Sequence, residues 1–127
     1  MAALYRILAQ IKSEASVYAP KEQLHRRLLP AVDHINKHFT EAGLSISGLA
    51  VLCGISEVYF RRLFRKAFSA SPAHYIRERR IAFAKELLRA GEHSVSEVAL
   101  LSGFGDAAYF SREFKRAVGE PPSEYLE

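Results

Sequence analysis

Only one cysteine is present, Cys53, so the chain can form no internal disulfide and no cysteine-based zinc site. A reducing cytoplasm is therefore the expected compartment. No apolar run approaches the roughly 18 residues that suggest a membrane span. The first residues also lack the basic, apolar and small-residue order of a signal peptide. No membrane partner is expected. P-loop, nucleotide-binding glycine motif and nucleophile elbow are all missing, so an enzymatic reading has no support and no cofactor is expected. His34 and His38 have the i, i+4 spacing of a metal pair, but no third ligand is evident nearby. They read as a solvated helix face, and Cys53 as a small core residue on an apolar stripe.

Charge is also missing locally: residues 45–56 carry none. Residues 1–44 hold six basic and four acidic side chains, residues 57–89 nine basic and three acidic, and residues 90–127 three basic and seven acidic. The formal net charge of +4 is thus concentrated in the middle third, which points to a polyanionic partner. Apolar residues make up 49% and charged residues 25% of the 127. That is an ordinary globular composition, sufficient for one compact domain or two very small ones.

A repeat organises the chain. Ser45-Ile-Ser-Gly-Leu-Ala-Val-Leu-Cys-Gly54 matches Ser94-Val-Ser-Glu-Val-Ala-Leu-Leu-Ser-Gly103 at an offset of 49. Tyr59-Phe-Arg-Arg-Leu-Phe-Arg-Lys-Ala then matches Tyr109-Phe-Ser-Arg-Glu-Phe-Lys-Arg-Ala at an offset of 50. The second copy has gained one residue in its turn. Pro72 and Tyr75 recur as Pro122 and Tyr125. Two copies are too few for a solenoid, so a pseudo-duplicated domain is expected.

Each copy reads as helix, turn, helix. Ser45 and Ser94 suit N-caps, and Ser94 with Glu97 forms a capping box. Ile46, Leu49, Ala50 and Cys53 recur at helical spacing, as do Val95, Val98, Ala99 and Ser102. Gly54 and Gly103 follow, where a left-handed residue commonly ends a helix. Second helices are expected from about Glu57 and about Ala107. The first has Phe60, Leu63, Phe64 and Ala67 on one face and Val58, Arg61, Arg62, Arg65 and Lys66 on the other. The second turns Phe110, Phe114 and Ala117 inward and Ala107, Ala108, Ser111, Arg112, Lys115 and Arg116 outward. A sharp turn between such helices is what a helix-turn-helix needs, and a basic outer face can enter a major groove about 12 Å wide.

Ala73 to Ala90 reads as one long helix ended by Gly91, with Ile76, Ile81, Ala84, Leu87 and Leu88 on its stripe. It would span roughly 27 Å and hold two units about one DNA turn, ~34 Å, apart. Leu28 to Thr40 reads as a supporting helix with Ala31, Val32, Ile35 and Phe39 inward, and residues 123–126 as a last turn. The fold class expected is all-α: two helix-turn-helix subdomains, 28–72 and 91–127, joined by a linker helix, 73–90. Arg77, Arg79 and Arg80 either touch phosphate or pair with Glu78 and Glu86. Tyr59, Tyr109, Tyr75 and Tyr125 read as core packing.

The doubled pattern resembles the AraC/XylS family of bacterial transcription regulators over residues 28–127. The resemblance is carried by Leu49-Ala50, Gly54-Ile55-Ser56, Tyr59 to Lys66, Ser71-Pro72, Tyr75-Ile76, Arg80-Ile81 and Ala84 to Leu88. It continues through Val95 to Ala99, Gly103 to Asp106, Tyr109 to Arg116, Pro122 and Tyr125. It implies base and phosphate contacts from two recognition helices. Val58, Arg61 and Arg62 become base-reading candidates in the first, and Ala107, Ala108, Ser111 and Arg112 in the second. Arginine can hold guanine O6 and N7 bidentately, whereas Ala107 and Ala108 offer at most methyl contacts with thymine. Arg65, Lys66, Lys115 and Arg116 are phosphate candidates, which position without reading sequence. The competing reading of these cations is a solvated helix face.

Residues 1–27 lie outside the repeat. Leu4, Ile7, Leu8, Ile11 and Ala15 suggest an amphipathic helix ending before Pro20, either packed on the first unit or leading from a sensor and dimerisation domain of the kind many family members carry. A sequence-specific regulator of transcription is expected, reading double-stranded DNA in two adjacent major grooves as the C-terminal part of a longer effector-responsive protein. RNA polymerase is a further candidate partner. A stand-alone regulator controlled by abundance, or a protein-interaction module on the same scaffold, are the alternatives.

Overall fold

The computed structural model describes residues 20–125, all of whose regular elements are helical. They fall into two compact units, one within Met1–Asp33 and Ile46–Pro72, the other within His34–Ser45 and Ala73–Glu127.

The first unit holds α1 (Lys21–Arg27), the start of α2 (Leu29–His38), α3 (Ile46–Leu52) and α4 (Glu57–Phe68). Ser56 caps α4: its side chain accepts from the Tyr59 amide at 3.2 Å, satisfying one of the free donors of the first turn. Phe60, Leu63, Phe64 and Ala67, spaced by three and four, are all buried, as one face of a 3.6-residue helix requires. Leu24, Leu28, Ala31, Leu49, Ala50 and Pro72 complete this core.

An unexpected element is α1. It follows Pro20 and buries Leu24. The His25 ring stacks on Phe68 with centroids 4.5 Å apart, and its Nε2 donates to the Ala67 carbonyl at 2.8 Å. A lone apolar residue among seven gives too little periodicity to announce a helix. The stripe from Leu4 to Ala15 lies outside the described residues.

The second unit contains α5 (Pro72–Ala90, all but its first residue), α6 (Val95–Leu101), α7 (Ala107–Val118) and a final 3₁₀ turn, Pro122–Tyr125. Ile81, Ala84 and Leu88 of α5 pack with Val98, Ala99, Phe104, Phe110 and Phe114. The long helix is therefore part of this unit's core. The Ser94–Glu97 capping box forms as expected, and Gly91 closes α5 with φ 70°. Asp106 caps α7 through the Tyr109 amide at 3.0 Å.

The turns explain the change of offset. Residues 53–56 separate α3 from α4, whereas 102–106 separate α6 from α7. The longer turn holds Phe104, whose ring lies 5.1 Å from that of Phe110. The expected inward position of Ala117 is not observed: it is exposed, while its counterpart Ala67 is buried. In the first unit α1 covers that end of the helix. In the second, the chain beyond α7 brings Tyr125 edge-on to Phe114 at 5.4 Å, one turn earlier.

Candidate nucleic-acid interface

The outer face of α4 is built by the caps and core just described. Val58 is 71% exposed, an apolar surface open to a thymine methyl. Arg61 donates from Nη2 to Glu57 Oε1 at 2.8 Å, one turn back. Arg62, Arg65 and Lys66 are exposed, and none of them pairs with a carboxylate among the described residues. They line an open concavity of about 510 Å³ together with Ser69 and Lys21. Lys21, from α1, was missed by sequence reasoning because no local pattern links it to residues more than forty positions away. Ser56 and Asp106 were also missed as caps. Their signal was present, as a short polar side chain directly before each second helix.

The corresponding face of α7 is different. Ala108 and Arg112 are exposed, whereas Ser111 is half-buried and Ala107 packs against the unit's core. Lys115 and Arg116 are exposed. Arg116 Nη1 lies 3.4 Å from Glu113 Oε1, and the other Glu113 oxygen lies 3.6 Å from Arg77 Nε. Glu113 is buried, at the position of Leu63 in the first copy. A burial of this kind is sustained by paired cations.

Among the described residues, Arg77, Arg79 and Arg80 make other contacts than the expected ones with Glu78 and Glu86, and Glu78 itself faces His74. Arg77 faces Glu113. Arg79 sits over the Tyr75 ring at 5.5 Å. Arg80 donates to the carbonyls of Phe39 and Glu41 at 2.6 and 3.0 Å, and burial pulls its pKa below the ordinary arginine value.

Two carboxyls near the second unit's helix starts are held below their usual range. For Asp106 the cause is hydrogen bonding from the Tyr109 and Ala108 amides, with a smaller contribution from Arg112. For Glu97 it is hydrogen bonding with His93, then with Ser94. Burial pushes the Cys53 thiol up, which disfavours the reactive thiolate. The His34 and His38 rings lie 4.4 Å apart, and His38 Nδ1 faces Glu41 at 3.0 Å. No helix among the described residues is long and apolar enough to cross a membrane.

A family model described as a helix-turn-helix domain matches residues 49–127. Among curated proteins, the HTH-type transcriptional activator RhaR of Yersinia pseudotuberculosis serotype O:1b (strain IP 31758) is 34% identical, over 80% of this chain and 37% of its own length. The chain thus spans little more than a third of that relative. Among solved structures, the C-terminal domain of AraT, a response regulator from Geobacillus stearothermophilus, matches with TM-score 0.74 and 31% identity, covering 78% of this chain and 82% of that one. The DNA-binding domain of the global transcriptional factor AdpA, solved in complex with a target DNA, matches with TM-score 0.72 and 28% identity, covering 77% and 87%. With its two helix-turn-helix motifs, this chain belongs to the AraC/XylS family of transcription regulators, through their DNA-binding domain.

Proposed function

We propose that the chain is a sequence-specific reader of double-stranded DNA that inserts α4 and α7 into adjacent major grooves and regulates transcription. The observation that carries this reading is the outer face of α4, where Arg62, Arg65 and Lys66 stand exposed without carboxylate partners among the described residues. Cations kept unneutralised on a rigid, capped helix suit a polyanion, because releasing counterions from phosphates drives association. Val58, Arg61 and Arg62 read bases in this proposal, and Arg65 and Lys66 hold phosphates. In α7, Ala107, Ala108, Ser111 and Arg112 face the bases, with Lys115 and Arg116 on the backbone.

The share of RhaR that is matched supports a further reading, that the chain belongs to a longer protein, and the likeness to the C-terminal domain of AraT supports its being the C-terminal part. In this proposal an effector-responsive sensor and dimerisation domain stands before it. The name of RhaR supports activation, and RNA polymerase is the further partner in this proposal.

Selection of bound duplexes from a random library tests the proposal, followed by titration of the enriched duplex at two salt concentrations. Two boxes about one helical turn apart, with affinity falling steeply as salt rises, are expected. A single box would confine base reading to α4. No enrichment, with weak and salt-insensitive binding, would overturn the DNA reading in favour of a protein-interaction module.

A further inference from the structure

Two segments far apart in sequence meet at the concavity of the first unit: Lys21 of α1, and Arg62, Arg65, Lys66 and Ser69 from the middle of α4 to just beyond its end. All four cations are exposed, and none pairs with a carboxylate among the described residues. The α4 contributors lie three and four residues apart, so they continue the face that begins at Val58. From Val58 to Ser69 that face runs roughly 16 Å at the helical rise, longer than a major groove about 12 Å wide. A helix that meets base edges with its first turns therefore carries its far end out to a phosphate strand. At that end α1 adds Lys21, and the stacked His25–Phe68 pair and the His25–Ala67 hydrogen bond hold α1 in place.

We infer that α1 is a second DNA-contacting element, in which Lys21 joins Arg65 and Lys66 to clamp the phosphate backbone at the edge of the groove that α4 enters. Lys21 acts as a sequence-independent contact: it raises affinity for every duplex and fixes register without selecting bases. The clamp unites two elements of one unit, so its geometry is preformed before DNA arrives.

The inference rests on the reading of α4 as a recognition helix, and its test separates the two. The parent chain, Lys21→Ala and Lys21→Arg are titrated with the selected duplex and with a shuffled one at about 50 and about 200 mM salt, the range over which phosphate contacts weaken markedly. Lys21→Ala is expected to weaken binding to both duplexes alike. Each neutralised phosphate adds about 0.9 to the salt slope, so the variant's affinity falls by about 3.5-fold less than the parent's across that range. Lys21→Arg keeps the parent's slope. Thermal melting of the three proteins is expected to coincide, because the Lys21 side chain is exposed. Equal salt slopes for the parent and Lys21→Ala, with Arg62→Ala still weakened, overturn the inference and leave the reading of α4 intact. No binding of any duplex by the parent overturns both. Inorganic pyrophosphate that protects the parent but not Lys21→Ala against heat, with duplex slopes unchanged, overturns DNA as the occupant in favour of a small anion.

Discussion

Arg80 donates from Nε to the carbonyl oxygen of Phe39 at 2.6 Å, across 41 positions of sequence. Its Nη2 reaches the Glu41 carbonyl at 3.0 Å. The segment after α2, which lacks a helical ladder of its own, is thereby tied to α5. Gly103 completes the arrangement. With φ 95°, a Cβ there would lie 2.9 Å from Arg80 Nε and from the Phe39 and Thr40 carbonyl oxygens. Gly103→Ala is therefore expected to destabilise the protein by well over about 2 kcal/mol, since backbone oxygens cannot swing aside and the conformation is itself strained. Gly54→Ala, at the matching position of the first copy, has φ 69° and open space around its Cβ, so only the left-handed cost of about 1–2 kcal/mol applies. Arg80→Ala is expected to lose about 1–3 kcal/mol by taking away the partner of the part-buried Phe39 carbonyl, since the Glu41 carbonyl also accepts from the Leu44 amide at 3.3 Å. Chemical denaturation of the three variants checks the order, and equal losses for the two glycines would contradict the close-approach argument.

Ser69 and Gly119 end the two second helices in the same left-handed conformation, with φ 57° and 97°. The first copy places a residue with a Cβ where glycine is favoured. Ser69→Gly is expected to stabilise the chain by about 1 kcal/mol through relief of that strain. Gly119→Ser is expected to do the opposite. Melting temperatures that move in one direction for both variants would refute the account.

The pH dependence of stability is expected to have an acidic limb. Asp106 and Glu97 have folded pKa values below their unfolded ones, because both accept hydrogen bonds in the folded state. Each contributes stability that is present above its unfolded value, about 4, and lost as pH falls through the lower folded value. Melting followed from neutral pH downward should show this decline. Asp106→Asn with Glu97→Gln retains amide acceptors for the caps but removes the titrations, so its acidic limb should be flatter. An unchanged limb would assign acid sensitivity to other carboxyls.

Arg62→Ala is expected to weaken DNA binding more than Arg112→Ala. Arg62 lines a cationic concavity, whereas Arg112 lies near the Asp106 carboxylate, and residues 90–127 carry seven acidic side chains against three basic. If Arg62 makes a bidentate guanine contact, its loss costs about 1–3 kcal/mol and relaxes preference at one base pair. Affinity measurements on the selected duplex check this, and equal losses or the reverse order would refute it.

Much of the fold was legible in the sequence because its signals are local. Apolar residues three and four apart, serine before the first helix of each copy, and glycine after helix ends act within one or two turns. They located α3 through α7 and the repeat that pairs them. The outer face of α4 followed from the same periodicity, since residues opposite a buried stripe are exposed. What only the tertiary structure decided are the meetings of residues about forty positions apart: Lys21 with the α4 cations, and Arg80 with the Phe39 and Glu41 carbonyls. Glu113, buried between Arg77 and Arg116, belongs with them. These partners are chosen by chain packing, where a charged side chain is buried only if a distant group compensates it, and no local period encodes that choice. The exposure of Ala117 has the same origin, because the element that covers Ala67 in the first unit comes from outside the repeat.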